Sequence, residues 1–241
     1  MSKQTNDQAY QKDFVYTHKN PYHDRLAAFD KFVLRDLEAE EFKTKWNESV
    51  FEREAPLCVE IGSGYGHFML EFCSNNPDVN FVGIDYRFKR SFNLAKKLEK
   101  LGAPHLRYLR AKGERLGFLF GENEIEKLFY FFPDPWPKKR HQKKRLFQTH
   151  FLDEVKRVLK TDGIMFIKTD HDDYFDHMRK VVEEHKGFEV LYETFDLWEN
   201  KEILDKSSKE ESFFKGFMTK FEKLFISKNI NIKAMAIRPK I

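Results

Sequence analysis

Short apolar runs alternate along this chain with longer stretches in which apolar residues recur every three or four positions. The first clear run, LCVEI at Leu57 to Ile61, is followed at once by GSGYG and HFMLEFCSNN, a pattern of buried strand, glycine turn and helix. NFVGID (Asn80 to Asp85) predicts a second strand, Phe88 to Leu101 a helix stopped by Gly102, and HLRYLR (His105 to Arg110) a third strand. EKLFYFF (Glu126 to Phe132) gives a fourth strand, Leu146 to Leu159 an amphipathic helix ended by TDG, and IMFIKTD (Ile164 to Asp170) a fifth strand. A helix from Tyr174 to His185 closed by Gly187, the strand FEVLYETF and the strand NIKAMAI (Asn231 to Ile237) complete the series. This alternation predicts an α/β fold, a mostly parallel seven-stranded sheet with helices on both faces. Ligands of such sheets sit at the carboxyl ends of the strands.

Residues 1–30 are polar and aromatic-speckled without periodicity, which predicts a flexible N-terminal arm ahead of a single domain over 31–241. ENKEILDKSSKEE, Glu199 to Glu211, has the composition of a mobile surface loop. With 241 residues, 41% hydrophobic, the chain is long enough for one core. No apolar run approaches the ~18 residues that span a bilayer, so a membrane span is excluded and no membrane partner is expected. The N-terminus lacks a signal peptide's apolar segment, and a cytoplasmic location is expected. Cys58 and Cys73 are the only cysteines, in apolar surroundings. They predict small buried hydrophobes and neither a disulfide framework nor a metal site. A net charge of +4 is mild, so the placement of charge matters more than its sum.

Glu60, Gly62, Gly64 and Gly66 form E-x-G-x-G-x-G at the first strand-to-helix turn, where glycines let a nucleotide-like ligand approach the backbone. A dinucleotide fingerprint needs glycine where this chain has His67, which argues against NAD. Asp85, 25 residues after Glu60, ends the second strand, where a carboxylate can accept hydrogen bonds from both ribose hydroxyls. The glycine turn with its preceding acid resembles motif I of the Rossmann-like, class I S-adenosylmethionine methyltransferases, in which the acid serves the methionine end of the cofactor.

FFPDPWPKKRHQKKR, Phe131 to Arg145, is the most distinctive segment. Three prolines stiffen the turn and hold Asp134 at the sheet's carboxyl edge. Six cations then fall in eight residues, Lys138, Lys139, Arg140, Lys143, Lys144 and Arg145, with His141 among them. So dense a cluster beside a cofactor pocket suits contacts to a polyanion backbone. KTDHDDYFDHM places Asp170 at the end of the fifth strand, although Asp172 or Asp173 could equally cap the following helix. Most of the 26 phenylalanines must be core, and only Trp136 and Trp198 are candidate base-stacking platforms.

From about Pro56 to the C-terminus, and above all in VEIGSGYGHF and PDPWPKKRHQKKR, the chain resembles the bacterial-type tRNA (guanine-N7)-methyltransferases. The resemblance implies transfer of a methyl group from S-adenosyl-L-methionine to N7 of a variable-loop guanine in tRNA. It implies cofactor contacts from Glu60, Gly62, Gly64, Asp85 and Asp134 and places Asp134 between cofactor and guanine. It implies substrate contacts from Lys138, Asp170 and the TKFE segment, Thr219, Lys220, Phe221 and Glu222. The cofactor half would span about 56–132, and the tRNA-contacting segments about 133–145 and 199–222. Lys112 stands where the family has an acid near the adenine, so that contact falls to Lys112, to Glu114 or to backbone. Two rivals remain: a methyltransferase for a small molecule or protein would not need the Lys138 to Arg145 cluster, and a non-catalytic RNA-binding protein would not need Glu60 and Asp85.

Overall fold

The computed structural model describes residues 6–16, 20–199 and 208–241. Its strands are β1 (Val33–Arg35), β2 (Leu57–Ile61), β3 (Asn80–Ile84), β4 (Leu106–Arg110), β5 (Ile125–Phe131), β6 (Leu159–Thr169), β7 (Phe188–Thr194) and β8 (Lys233–Pro239). They form one sheet in the order β1-β4-β3-β2-β5-β6-β8-β7. Neighbours from β1 through β6 pair in parallel, and β8 runs antiparallel to both β6 and β7. The sheet thus has eight strands rather than the expected seven. The extra one, β1, has three residues, too few to show an alternation in sequence.

The helices are α1 (Pro21–Leu26), α2 (His67–Asn75), α3 (Phe88–Leu101), α4 (Leu116–Leu119), α5 (Thr149–Val158), α6 (Asp172–His185), α7 (Lys209–Lys215) and α8 (Lys220–Ile226). Side chains alternate across each strand. In β2, Leu57, Val59 and Ile61 join a core with Leu116, Phe151, Leu152 and Phe175, whereas Cys58 joins a second core with Phe68, Phe72, Leu94 and Phe214. Helices α4, α5 and α6 therefore cover one face, and α2, α3 and α7 the other. Strands buried on both faces read as continuous apolar runs, which is why β2 and β3 were legible.

Residues 8–16 lie against this body through isolated anchors rather than a periodic face. Ala9 and Phe14 are buried. Arg115, 1% exposed, grips the Glu40 carboxylate through Nε and Nη2, both at 2.7 Å. Its Nη1 donates to the carbonyls of Ala9 (2.9 Å) and Gln11 (2.6 Å). Among the described residues no helix is long and apolar enough to cross a membrane, and no cluster of His, Cys, Asp and Glu could hold a metal ion.

Candidate active site

The chain crosses from β2 to β3 and β4 on one side of the sheet and returns to β5 and β6 on the other, so a topological switch point opens between β2 and β5. The glycine turn lies there, with the amides of Gly62 and Ser63 both donating to the Ile84 carbonyl (2.8 and 3.0 Å). Gly62 has φ +89°, and a Cβ added to it would meet nothing within 4 Å, leaving the backbone open to a ligand. At Gly66 the constraint is packing, because a Cβ would lie 2.7 Å from Leu94 Cδ1.

Glu60 is 5% exposed, and its Oε2 has no hydrogen-bond partner. Burial raises its carboxyl to about 8, with the nearby Asp85 charge adding to the rise and the Ser63 hydroxyl opposing it. A buried, unpartnered acceptor beside an open glycine turn fits a cationic group of a ligand. Asp85 is also buried. Its Oδ1 accepts from the Arg87 amide (2.8 Å), and its Oδ2 from the Gly64 amide (3.1 Å) and Arg90 Nη1 (3.4 Å). Asp85 thus ties the glycine turn to the end of β3 as well as presenting a carboxylate there.

Asp134 follows β5 in a turn bracketed by two left-handed residues, Phe132 (φ +49°) and Trp136 (φ +45°). Such backbone costs on the order of 1 kcal/mol or more per residue and persists only where the surroundings enforce it. The Phe132 amide donates to the Lys168 carbonyl at 2.8 Å, carrying the β5–β6 pairing one residue further. The Asp134 side chain is 66% exposed and meets Arg87 Nη2 at 3.4 Å. That exposed pair adds little stability. It does join the end of β3 to the end of β5 across β2, and Arg87 is a site residue that sequence reasoning missed. Its only signal was its place two residues after Asp85.

Asp170 directly follows β6 and is not the cap of α6, nor are Asp172 and Asp173. The cap is His171, whose ring nitrogen accepts from the Tyr174 amide. Thr219 and Glu222 form a capping box at the start of α8: Thr219 Oγ1 accepts from the Glu222 amide (3.2 Å), and Glu222 Oε2 from the Thr219 amide (2.7 Å). Glu222 has no exposed surface, and its Oε1 takes Lys168 Nζ (2.8 Å) and Trp198 Nε1 (3.2 Å). The structure therefore gives Glu222 an internal partner set where a direct substrate contact was expected, while Lys220 and Phe221 of the same segment are exposed. Burial lowers the Lys168 ammonium, and the Glu222 carboxylate opposes that. Trp198, a stacking candidate, is committed to Glu222, whereas Trp136 carries Lys144 Nζ 4.6 Å above its ring. Residues 200–207 of the loop expected to contact tRNA lie outside the described residues.

Lys138 to Lys144 leave the Asp134 turn as a short 3-10 helix over Lys139–Lys144, with Lys138, Lys139, Arg140, Lys143 and Lys144 exposed. Arg145 departs from this set, for it is 3% exposed. The expectation that it touches an RNA backbone is corrected: its guanidinium is turned inward onto protein partners. Lys112 lies against the N-terminal arm. Its Nζ lies 5.1 Å from the Phe14 ring centroid, and its amide donates to the Tyr16 hydroxyl at 3.0 Å. The N-terminal arm thus reaches the strand end next to that of Asp85, which no sequence signal announced.

Residues 54–234 match the model of a family described as putative methyltransferase. The chain is 34% identical over 232 residues to a bifunctional glycosyltransferase/methyltransferase of Fusobacterium nucleatum, covering 94% of this chain and spanning 34% of that protein's length. It is 33% identical over 217 residues to a tRNA (guanine-N(7)-)-methyltransferase of Geobacillus thermodenitrificans, covering 90% of this chain and 94% of that one. Among solved structures it is similar to the 16S rRNA methyltransferase KamB, with a TM-score of 0.57 and 15% identity over 80% of this chain and 92% of that one. That likeness speaks for the class I methyltransferase fold alone. Similarity over nearly the full length of the Geobacillus relative, on a sheet with its glycine turn at the switch point, places the chain in the tRNA (guanine-N7)-methyltransferase family.

Proposed function

We propose that the protein transfers a methyl group from S-adenosylmethionine to N7 of a guanine in the variable loop of tRNA, acting in the cytoplasm. The observation that carries this reading is the pairing of two carboxylates at adjacent strand ends: Glu60, buried with an unpartnered Oε2, and Asp134, exposed on a stiff turn. When bound, the cofactor supplies an electrophilic sulfonium methyl group. Glu60 would hold its ammonium end, Asp85 its ribose, and the backbone at Gly62 and Gly64 would let it approach. Lys112 is left out of that set, because its side chain lies on Phe14.

Guanine N7 carries a lone pair and needs no deprotonation, so the chain's task is orientation and electrostatics rather than base catalysis. Asp134 would accept hydrogen bonds from the N1 and N2 edge of the guanine and stabilise the positive charge that methylation places on the base. Asp170, at the end of the neighbouring strand β6, would hold the substrate from the other side, with Lys220 and Phe221 flanking it from α8. Lys138, Lys139, Arg140, Lys143 and Lys144 would contact phosphates, a use that neither a small-molecule substrate nor a protein substrate requires. Thr219 and Glu222 would act by holding α8 in place.

The test is transfer of labelled methyl from S-adenosylmethionine to unmodified tRNA transcripts, with the modified nucleoside identified by mass spectrometry. The expected product is 7-methylguanosine. Cofactor binding without methylation across a broad tRNA set would overturn the reading.

A further inference from the structure

Arg145 is chemically one of six cations in the run that begins at Lys138, yet it alone is buried. Taking a guanidinium out of water is costly unless its donors are satisfied. Here Nε donates to the Pro135 carbonyl (2.9 Å), Nη2 to Asp173 Oδ2 (2.6 Å), and the guanidinium carbon lies 4.7 Å from the centroid of the Tyr174 ring. Tyr174 has no exposed surface, and its hydroxyl meets that of Tyr130 in β5 at 3.0 Å. The Arg145 hydrogen bond holds the Asp173 carboxyl below the usual range. Pro135 directly follows Asp134 and lies between the two left-handed residues Phe132 and Trp136. Asp173 and Tyr174 belong to the first turn of α6, which starts two residues after Asp170. One side chain therefore joins the turn that carries Asp134 to the helix start that follows Asp170.

We propose that Arg145 is a positioning residue: by tying the Pro135 carbonyl to Asp173 and Tyr174 it holds the strained Asp134 turn and sets the spacing between Asp134 and Asp170, without touching tRNA. The inference rests on the proposed reaction, in which both carboxylates face the guanine. A planar fork is needed, since one donor must reach a carbonyl and another a carboxylate while the plane lies on a ring. A lysine ammonium offers no such geometry.

The experiment compares wild type, Arg145→Lys and Asp173→Asn in single-turnover methylation of tRNA at saturating substrate and cofactor, together with tRNA affinity across a salt series. Positioning predicts that Arg145→Lys lowers the saturated rate tenfold or more, on the order expected for displacement of a reacting group. The salt slope of tRNA binding stays at its wild-type value. Asp173→Asn, a change at a side chain 61% exposed, lowers the rate in the same direction by a smaller factor. A phosphate-contacting role predicts the opposite pattern: a normal saturated rate for Arg145→Lys and tighter tRNA binding for Asp173→Asn, and this result would overturn the inference. If Arg145→Lys does not fold, Asp173→Asn alone decides between the two patterns. Failure of the wild type to form 7-methylguanosine would instead overturn the proposed reaction itself.

Discussion

Replacing Glu60 with glutamine keeps the shape of the side chain and removes its ionisation. Burial raises this carboxyl from 4.5 to about 8 in the folded protein. Between those values the native state holds a proton that the unfolded chain has released, so the free energy of unfolding falls as pH rises and levels off above about 8. At about 1.4 kcal/mol for each tenfold change in an ionisation constant, the loss from pH 5 to pH 7 is about 2–3 kcal/mol. Glu60→Gln lacks that loss. Urea denaturation of both proteins without cofactor should show the variant gaining about 2–3 kcal/mol on the wild type over this interval, whatever constant offset the amide introduces. Parallel pH profiles would refute the argument that Glu60 is buried without a partner. Binding the cationic end of the cofactor should likewise release a proton near pH 7, read as a buffer-dependent heat of binding that Glu60→Gln abolishes.

Asp134→Ala should cut methyl transfer on the order of a hundredfold or more, with cofactor affinity within about twofold of wild type, and near-normal turnover would remove Asp134 from its role. Neutralising Lys139 and Lys143 together should lower the slope of log affinity against log salt by about 0.7–0.9 for each phosphate left without its lysine, and an unchanged slope would leave these lysines as a solvated face. Lys168→Met strands the buried Glu222 carboxylate and should cost about 3–5 kcal/mol in chemical denaturation. The double variant Lys168→Met/Glu222→Gln, which removes the stranded charge and keeps an acceptor oxygen for the α8 cap, should regain part of that stability, whereas additive losses would show that the pair is not coupled.

The glycine turn and the strand ends around it were legible because they depend on local signals. LCVEI and NFVGID are apolar runs buried on both sides, and the glycines sit where the backbone turns with positive φ. Asp134 was legible because three prolines leave its turn few conformations. Roles set by distant partners were not. Nothing in KKRHQKKR distinguishes Arg145 from Lys144, since burial of one and exposure of the other depends on Asp173 and Tyr174, in the helix that follows β6. Glu222 reads as one member of a charged segment, and only the packing of α8 against β6 brings Lys168 to it. The arm at residues 8–16 has no periodic face, and Arg115 and the Lys112 amide hold it by individual bonds. β1 is short enough that its pairing to β4 supplies all of its definition.

The reversed strand β8 has a consequence for how the protein is made. β7 finds no partner in the sheet except β8, which enters between it and β6. During synthesis β7 leaves the ribosome first and waits unpaired until residues 233–239 follow. Throughout that interval the growing sheet ends at β6 with a row of open amides and carbonyls, the kind of edge along which nascent chains associate with one another. The arrival of β8 therefore sets the moment at which this half of the sheet closes, and truncation within β8 would release β7 together with it.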